Sequence, residues 1–477
     1  LHHPQVVQIP FEIAYIAANL AKNGWDITIC DGWLDPLFSE KGEAILPESP
    51  CNLAVIHVES LYYEKALQFG RAIKQWFKES LLLAIGHVAT TMPEILLEPN
   101  GPFDACVDGE PEMTILEAGA AVLSNGNLSD IPGLILPAST PDGILRTTGR
   151  RDLIENLDSL PYPAYQYFQF ERYAKMSCHA PIFGKVRWGW LLTSRGCSFG
   201  CSFCSPLLRK SHGTQYRAHS IGYVVNLVDM LQEKFRCNAI AIEDDVFIYS
   251  KKRTIEICEA LASRPKPIPW TAQARIDTLD ADLIFTMKRA GCVGLCIGIE
   301  SGDMEIRKRY KNCNLSNEEI EEIIRLVHNS GIHTTLYFML GFPGETPAQM
   351  KSTMVLARKL KPLMIQVAFY TPYPGSKAWE EFIADHPADK ALRLSHYNEA
   401  GDSCGAVHSA ELWEFRQRFY RNFYLNPRYI WRYMTGRFPY TVTQGREIKL
   451  ACGMLQWLAG RWRIKQNNLQ ERRGESR

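Results

Sequence analysis

The sequence predicts an α/β protein: an N-terminal Rossmann-like, doubly wound domain, then a partial (β/α)6 barrel of the TIM type, then a helical C-terminal region. Two observations predict this class. Short apolar strands alternate with helices at the start of the chain, and the alternation resumes with a regular repeat from residue 188. Between them, prolines, a D-G turn signal and scattered aromatic residues argue against regular elements. The predicted parts are residues 1–135, a connector over 136–186, a barrel over 187–385 and a helical cap over 386–477.

The N-terminal domain begins, within residues 11–31, with a helix whose apolar residues recur at helical spacing, followed by a C-cap signal at Gly24 and the predicted strand DITIC (26–30). A parallel sheet of this kind binds ligands beyond the C-terminal ends of its strands. The remaining predicted elements are the strands LAVIHV (53–58) and LLLAIG (81–86), a helix between them, a loop HVATTMPE (87–94), the segment DACVDGEPE (104–112) and a helix over 113–123.

The barrel is predicted from six strand-like runs with helical stretches between them. In such barrels the reactive residues lie at the C-terminal ends of the strands, so motifs are expected there. The six runs are WGWLLTS (188–194), AIAIED (239–244), WTAQARI (270–276), GLCIGIE (294–300), TTLYFML (334–340) and IQVAFYT (365–371).

Composition excludes several classes of function. Lys and Arg total 53 against 52 for Asp and Glu, so no whole-molecule electrostatic argument favours nucleic acid or an acidic partner, and a small-molecule partner is expected. We expect no transmembrane segment, because no apolar run approaches the length of a span, and the first residues lack the layout of a signal peptide. A cytoplasmic protein with reduced thiols among its 14 cysteines is therefore predicted.

Three cysteines stand apart from the others, because Cys197, Cys201 and Cys204 share the spacing C-x3-C-x2-C. A structural zinc site would require a fourth Cys or His; His212 lies eight residues on, but no second C-x2-C exists. A four-iron cluster is normally held by four cysteines, so three would leave one iron with an open coordination position, which is typical of reactive metal sites. Zinc and buried structural cysteines remain the alternatives.

The residues around the cysteines fit the cluster hypothesis. Gly196 and Gly200 allow the backbone to wrap closely around a cubane, and Phe203 can shield it from water. The run RGCSFGCSFC resembles the signature of radical S-adenosylmethionine (SAM) enzymes. The resemblance implies a [4Fe-4S] cluster whose open iron chelates SAM, reductive cleavage of SAM to methionine and a 5′-deoxyadenosyl radical, and an external electron donor such as ferredoxin or flavodoxin. It makes the three cysteines the catalytic metal ligands.

The second barrel strand ends in IEDDVF, which places Glu243, Asp244 and Asp245 at the rim. This run resembles the acidic second-strand motif of the family, which implies that Asp244 and Asp245 contact the SAM ammonium group. The alternative is a helix N-cap with an acidic first turn.

Later strand ends carry further candidates. Arg275, in QARID, can pair with the SAM carboxylate through two guanidinium contacts, and an interior salt bridge is the alternative. Glu300, in GIESGD, fits hydrogen bonding to ribose hydroxyls or to the SAM amino group, against a structural carboxylate. The turns LGFPGET (340–346) and TPYPGS (371–376) bring backbone close to a ligand.

The order of parts resembles the cobalamin-binding branch of radical SAM enzymes, and most of all the anaerobic magnesium-protoporphyrin monomethyl ester cyclases and their relatives. In that branch a loop G-G-x-H-x-T lies near the corrin. Here it reads IGHVAT: Gly86 and Thr90 match, Ile85 replaces a glycine, and His87 is displaced by one position. The resemblance implies that Gly86 and Thr90 bind cobalamin.

The segment GEPE matches the glycine-glutamate turn of the same branch, which implies cobalamin contacts for Gly109 and Glu110. No D-x-H-x-x-G motif is present, so a histidine axial ligand to cobalt is not indicated. The implied cofactors are a [4Fe-4S] cluster, SAM and cobalamin.

The implied reaction is methylation of an unactivated carbon of a small-molecule or natural-product substrate. One alternative is radical oxidative cyclisation or oxygenation of a tetrapyrrole-like substrate. An alternative from another class is a non-catalytic iron–sulfur or corrinoid-binding sensor. The intact cysteine set together with Glu300 favours an enzyme, since a pure binder has no need of an open iron.

Overall fold

The computed structural model describes residues 9–59, 62–138, 143–175, 186–204, 212–385, 407 and 409–435. These residues form two large sheets, a small two-stranded sheet and the helices packed on them. All eleven cysteines within the described residues are unbridged.

The first sheet has five strands in the order β1-β2-β3-β4-β5. The first three run parallel, and the last two are antiparallel additions at one edge. β2 is buried along its whole length, because helices cover both faces of a parallel sheet, and this explains its unbroken apolar run. The strands are β1 (Leu53–His57), β2 (Leu81–Ile85), β3 (Ala105–Val107), β4 (Leu134–Leu136) and β5 (Arg146–Thr147).

The structure of this half differs from the predictions in two places. Residues 26–30, predicted as a strand, form no strand; Ile27 and Ile29 pack against neighbouring apolar clusters without joining the sheet. The predicted loop over 87–94 contains a helix and the start of another, because Gly86, at φ 91°, turns the chain at the end of β2. The helices are α1 (Phe11–Lys22), α2 (Tyr63–Trp76), α3 (His87–Thr91), α4 (Pro93–Leu96) and α5 (Pro111–Ser124).

The predicted connector is more ordered than its composition indicates. Its first part supplies β5, so the first sheet extends beyond residue 135. Its second part has short 3-10 turns and one helical turn, α6 (Phe170–Tyr173). Asp158 fastens this part to the barrel: its carboxylate accepts a hydrogen bond from Ser220 N (3.0 Å) and lies 3.0 Å from His219 Nδ1.

The second sheet has six parallel strands in the order β13-β12-β11-β10-β9-β6, an open barrel with β6 and β13 at its edges. Its strands match the six predicted runs, with shorter bounds in several cases. They are β6 (Trp188–Leu191), β9 (Ala239–Ile242), β10 (Trp270–Arg275), β11 (Cys292–Glu300), β12 (His333–Leu340) and β13 (Met364–Phe369); the small sheet pairs β7 (Ser194–Arg195) with β8 (Arg217–Ala218).

The barrel helices begin with side-chain caps encoded in the sequence. Ser, Thr or Asp precedes six of them, and each cap accepts a hydrogen bond from the backbone N–H three residues on. The helices are α7 (Ile221–Glu233), α8 (Lys251–Ala262), α9 (Ala281–Arg289), α10 (Met304–Lys311), α11 (Asn317–Asn329) and α12 (Pro347–Leu360), followed by α13 (Lys377–Asp385).

Two further helices, α14 (Ser409–Tyr424) and α15 (Pro427–Met434), lie within the predicted helical cap; the rest of that prediction lies outside the described residues. α14 covers the open edge of the barrel. The hydroxyls of Tyr424 and Tyr420 accept hydrogen bonds from Ile365 N (3.0 Å) and Val367 N (2.9 Å) of β13. Across the described part of the chain, every helix is too short or too polar to cross a membrane.

α1 joins the two halves. Phe11, Ala14 and Tyr15 belong to the apolar core of the barrel, whereas Ile16 and Leu20 belong to the core of the first sheet. The C-terminal ends of β1, β2 and β3 therefore face the start of the barrel across a helix that both cores share.

Candidate active site

The cysteine loop begins directly after β7, at the C-terminal side of the first barrel strand. Gly196 has φ 89°, and a Cβ there would lie 2.2 Å from Gln215 O, so only glycine fits. Its N–H donates to Asp245 Oδ2 (3.1 Å). The chain is thus turned and held just before the first cysteine.

The three cysteines lie on this one loop. Cys197 is buried, and Cys201 and Cys204 are partly buried. Burial raises the pKa of the Cys197 thiol, and the nearby charges of Asp245 and Cys201 add to this effect. Cys201 Sγ lies 3.1 Å from Arg275 Nη1, so a guanidinium is placed to stabilise negative charge on that sulfur.

Within the described residues, no group of three or more His, Cys, Asp or Glu side chains converges on a point where one metal ion would sit. A four-iron cluster makes a different demand, since each cysteine binds a different iron atom. A loop with three separate thiols, a tight glycine turn and an adjacent guanidinium fits such a cluster.

Phe203 lies beside the last cysteine with its ring directed into an apolar group. Its centroid is 6.2 Å from that of Phe342, within a cluster that also contains Tyr310 and Tyr370. Gly200 is exposed, and a Cβ there would lie 3.5 Å from Asn312 Nδ2. The shielding role of Phe203 stays a prediction.

Asp244 differs from the expected SAM contact. Its buried carboxylate accepts hydrogen bonds from Thr193 N and Oγ1 and from Ser194 Oγ (2.6 Å), at the start of the cysteine loop. Burial raises the pKa of Asp244 to about 6, although these hydrogen bonds lower it. Asp244 therefore holds the start of the cysteine loop, and its contact with the SAM ammonium group stays a prediction.

Asp245 also holds the loop. Besides Gly196 N, its Oδ2 lies 3.3 Å from His212 Nδ1. Burial opposes a charge on His212, but the hydrogen bond and the charge of Asp245 raise its pKa. Glu243, the first residue after β9, accepts a hydrogen bond from Gln273 Nε2 (2.9 Å).

Arg275 forms the interior salt bridge that was the alternative to a SAM contact. Its Nε and Nη2 donate to the two oxygens of Asp277 at 3.0 and 2.7 Å, while Nη1 faces Cys201. The guanidinium also lies 4.1 Å from the ring centroid of Phe199. It is therefore fixed against the cysteine loop.

Glu300 lies at the end of β11 with φ 69°, at an irregularity in the pairing with β12. Lys311 Nζ donates to Glu300 Oε1 (2.8 Å) and to Gly298 O (2.6 Å). A Cβ at Gly298 would lie 2.2 Å from Glu300 Oε1, so the glycine leaves room for this ion pair. The rim thus carries one buried carboxylate and one buried ammonium side by side.

The C-terminal edge of the first sheet brings together most of the cobalamin candidates. Gly86 lies under the ring of His57, since its Cβ would be 3.0 Å from that ring. Thr90 and His87 are buried, and the His87 ring lies 5.4 Å from that of Tyr373 of the barrel. Burial opposes a charge on His57, but Glu12 (3.0 Å) and Glu59 raise its pKa to about 9.

Glu110 is buried, and its carboxylate is paired with two arginines of the barrel. It lies in a buried interdomain network with Glu112, Arg195 and Arg217. Arg195 bonds Glu110 (3.0 Å) and Glu112 (2.6 Å), and Arg217 bonds Glu110 (2.9 Å). Gly109 remains open, because nothing lies within 4 Å of a Cβ built there and its φ is 100°.

Several of these residues were missed in the sequence. Arg195 directly precedes the cysteine loop and could have been noted for its place in the run SRGC. Lys311 and Arg217 carry no local signal, because only the fold brings them to Glu300 and Glu110. His57, at the end of an apolar strand, could have been found from its position alone.

The chain is similar in sequence to known proteins. Residues 191–357 match the family model of the radical SAM superfamily. An uncharacterised methyltransferase of Pyrococcus horikoshii is 28% identical over 433 residues, covering 88% of each chain. The anaerobic magnesium-protoporphyrin IX monomethyl ester cyclase of Rubrivivax gelatinosus is 25% identical over 92% of this chain and 76% of its own.

Solved structures share the fold. The methyltransferase TsrM of Kitasatospora setae, with cobalamin and a [4Fe-4S] cluster bound, is 18% identical with a TM-score of 0.63 over 80% of this chain and 74% of its own. The cobalamin-dependent SAM radical enzyme OxsB, with aqua-cobalamin and SAM bound, is 15% identical with a TM-score of 0.68 over 91% and 69%. The segment that contains the cysteine loop is thus similar to the radical SAM superfamily, whose family model it matches.

Proposed function

We propose that the protein is a cobalamin-dependent radical SAM methyltransferase acting on an unactivated carbon of a small molecule. One observation carries the proposal: the three-cysteine loop starts at the point where buried ion pairs join the barrel to the C-terminal edge of the first sheet. A radical generator and a corrin would then lie on facing edges of the two halves.

In this proposal Cys197, Cys201 and Cys204 hold a [4Fe-4S] cluster. The bound cluster supplies the electron that cleaves SAM and yields a 5′-deoxyadenosyl radical. Asp244 and Asp245 hold the loop in position, and Arg275 balances thiolate charge. These three residues act on the cluster site rather than on SAM directly.

The Glu300–Lys311 pair is the proposed anchor for the amino-acid part of SAM. The SAM ammonium would replace Lys311 as the partner of Glu300, and Lys311 would turn to the SAM carboxylate. Each buried charge would keep an opposite charge beside it, which avoids the cost of an unpaired buried ion. Arg275 is already bonded to Asp277 and faces Cys201, so we assign the anchor to Lys311 and Glu300.

The first sheet is the proposed cobalamin site, with Gly86, Thr90 and Gly109 at its C-terminal edge. Parallel sheets bind ligands at this edge, and the open space at Gly109 permits close backbone approach. Both TsrM and OxsB were solved with cobalamin. Glu110 contributes by fixing the turn to Arg195 and Arg217.

A second candidate is oxidative cyclisation of a tetrapyrrole-like substrate. The similarity to the Rubrivivax gelatinosus cyclase, which covers 92% of this chain, favours it. Both candidates require the same cluster loop and SAM anchor. They differ in product, since methylation transfers a labelled SAM methyl group to the substrate and cyclisation does not.

The first experiment is anaerobic reconstitution with iron, sulfide and hydroxocobalamin, then desalting, a visible spectrum and a 5′-deoxyadenosine assay with SAM and reductant. We expect retained cluster and corrin bands and deoxyadenosine formation. Cys201→Ala should lose the cluster absorbance and deoxyadenosine together, whereas Cys30→Ala, an exposed cysteine away from the loop, should keep both.

Retention of cluster and cleavage by Cys201→Ala would refute the ligand assignment. A full cluster that yields no deoxyadenosine under strong reduction would instead support the sensor alternative. Deoxyadenosine without retained corrin would remove the methyltransferase proposal and leave a radical SAM enzyme whose first domain does not bind cobalamin.

A further inference from the structure

The helix α15 turns its apolar face outward. Pro427, Ile430 and Trp431 share one face, at positions i, i+3 and i+4, and all three are exposed, Ile430 to 45% and Trp431 to 62%. The inward face carries polar contacts, since Tyr429 and Arg432 donate to backbone carbonyls just before β13, at 2.8 and 3.1 Å. A surface helix normally presents its apolar stripe to the core, so α15 is reversed.

α15 lies at the N-terminal end of β13. α14 runs antiparallel to this strand, because Tyr420 bonds Val367 N whereas Tyr424, one helical turn later, bonds Ile365 N. The contacts of α15 continue in the same direction, to the residues that precede the strand. The helix is therefore at the opposite end of the barrel sheet from the cysteine loop.

A cavity of about 440 Å³ between α12 and α14 borders this helix. It is lined by Arg358 of α12 and by Arg418 and Arg421 of α14. Leu425, which is 45% exposed, and Pro427 also line it, so the cavity is continuous with the apolar face of α15. All its lining residues lie in the described part of the chain, and none of them is acidic.

The arginines of the cavity lack nearby negative charge. Arg358, Arg418 and Arg421 are exposed and form no ion pair within the described residues. Residues 415–435 contain five Arg and no Asp or Glu, although the whole chain has a net charge of only +1. Like charges three residues apart on a helix repel each other, so a negatively charged partner would stabilise this arrangement.

We propose that the surface formed by Arg358, Arg418, Arg421, Ile430 and Trp431, the α15 surface, binds the face of an anionic phospholipid bilayer. The guanidinium groups bond lipid phosphates, and the Trp431 and Ile430 side chains enter the headgroup region. A soluble anion would leave the apolar face in water, and an apolar partner would leave the arginines without counter-charge. A bilayer of this composition meets both needs.

This inference does not rest on the proposed function, since it uses neither the cysteine loop nor the first sheet. In the bound orientation the cysteine loop lies on the side of the barrel away from the bilayer.

The test is sedimentation of the reconstituted full chain with vesicles of equal parts phosphatidylglycerol and phosphatidylcholine. We expect binding that weakens with added salt and is lost with phosphatidylcholine alone. Each basic residue near an anionic surface strengthens binding roughly fivefold, so Arg418→Gln/Arg421→Gln should bind roughly 25-fold more weakly. Ile430→Ala/Trp431→Ala should bind roughly tenfold more weakly, because less apolar surface enters the bilayer.

Two matched controls change similar side chains elsewhere. Lys65→Gln/Lys252→Gln removes two exposed charges, on α2 and α8. Trp76→Ala removes an indole that is 73% exposed at the end of α2. Both controls should bind like the unchanged chain. Because every altered side chain is exposed, all the variants should keep the circular dichroism spectrum of the unchanged chain.

The proposal is overturned if the unchanged chain stays in the supernatant with both kinds of vesicle. Binding that survives in both α15-surface variants would come from another part of the chain, such as residues 436–477, and would overturn it too. Loss in the arginine variant alone would indicate an anion site that needs no bilayer. None of these measurements depends on SAM cleavage, so a failure of the proposed function would leave them unaffected.

Discussion

Glu300 adopts a backbone conformation that side-chain-bearing residues rarely take. Its φ of 69° costs on the order of 1–3 kcal/mol, which the surrounding structure must offset. The ion pair to Lys311 and the pairing of β11 with its two neighbouring strands up to Gly298 supply that support. The Glu300 carboxylate is thereby held beside Lys311 at the end of β11.

Gly298→Ala should weaken SAM binding without unfolding the protein. The new Cβ would lie 2.2 Å from Glu300 Oε1 and 2.7 Å from Lys311 Nζ, so both side-chain ends must move. Because these are the flexible ends of long side chains, the backbone can stay in place. We expect the dissociation constant for SAM to rise roughly tenfold, about 1.4 kcal/mol, measured by equilibrium dialysis.

Gly222→Ala is the matched control, because a Cβ there meets only Ser220 Oγ at 3.9 Å and the site lies in α7. It should leave SAM binding unchanged and stabilise the helix by up to about 1 kcal/mol. Unchanged SAM affinity in Gly298→Ala would mean that the Glu300–Lys311 pair is not the anchor.

The sequence predicts which residues lie at strand ends but not what they bond. Glu243 and Asp244 follow β9 directly, and their side chains take different partners: Glu243 reaches Gln273, while Asp244 reaches Thr193. The position of Asp244 was predictable from the strand IAIED; its partner was not, because Thr193 is brought near only by the pairing of β6 with β9. The arginine partners of Glu110 could not be predicted for the same reason.

At the scale of elements, tyrosine hydroxyls form hydrogen bonds with the exposed edge strand of the barrel. β13 is an edge strand, and an edge presents unpaired N–H groups that favour aggregation. Tyr420 and Tyr424 of α14 accept from two of these groups, and Tyr429 of α15 donates to Leu363 O (2.8 Å) just before the strand.

Tyr424→Phe should destabilise the chain by about 1–3 kcal/mol, because it leaves the buried Ile365 N–H without its acceptor. The free energy of unfolding in urea, measured on the cofactor-free chain, checks this. Tyr63→Phe, at an exposed hydroxyl 3.5 Å from Glu64, should change the same quantity by less than about 0.5 kcal/mol. Equal effects of the two substitutions would contradict the edge-capping role.

The elements themselves were largely predictable where the sequence is periodic. The six barrel strands and the capped helices follow from apolar runs and from Ser, Thr or Asp at helix starts. Residues 26–30 have the same apolar alternation and yet form no strand, because a strand requires a hydrogen-bonded neighbour, which local sequence does not specify. β5 was not predicted, because a strand of two exposed residues is too short to show an alternating apolar pattern.

At the scale of the whole molecule, the two halves are joined by buried charge. One terminal nitrogen of the Arg195 guanidinium bonds Glu110 and the other bonds Glu112, both in the first domain. The Arg195 side chain is 3% exposed. Arg195 also stands two residues before Cys197. The orientation of the first domain and the start of the cysteine loop are thus set by the same side chain.

Glu112→Gln should therefore cost about 3 kcal/mol of unfolding free energy, since removing one partner of a buried ion pair is strongly destabilising. Reconstituted protein should also bind cobalamin more weakly. Arg325→Gln, which breaks the exposed pair with Glu322, should cost less than about 0.5 kcal/mol. Urea unfolding of both variants checks the first expectation; a cost of less than about 1 kcal/mol for Glu112→Gln would show that the network does not hold the halves together.

α1 has a consequence for biosynthesis, because the helix belongs to two cores that the ribosome completes at different times. Its face toward the first sheet finds partners once β3 and α5 have emerged, but the partners of Phe11 and Tyr15 include Trp190 and Tyr223 in the same apolar core. At the usual speed of synthesis, the face of α1 that packs on the barrel therefore stays uncovered for roughly 10–40 seconds. Nascent chains stalled before residue 190 should thus offer chaperones an apolar surface that the finished protein conceals.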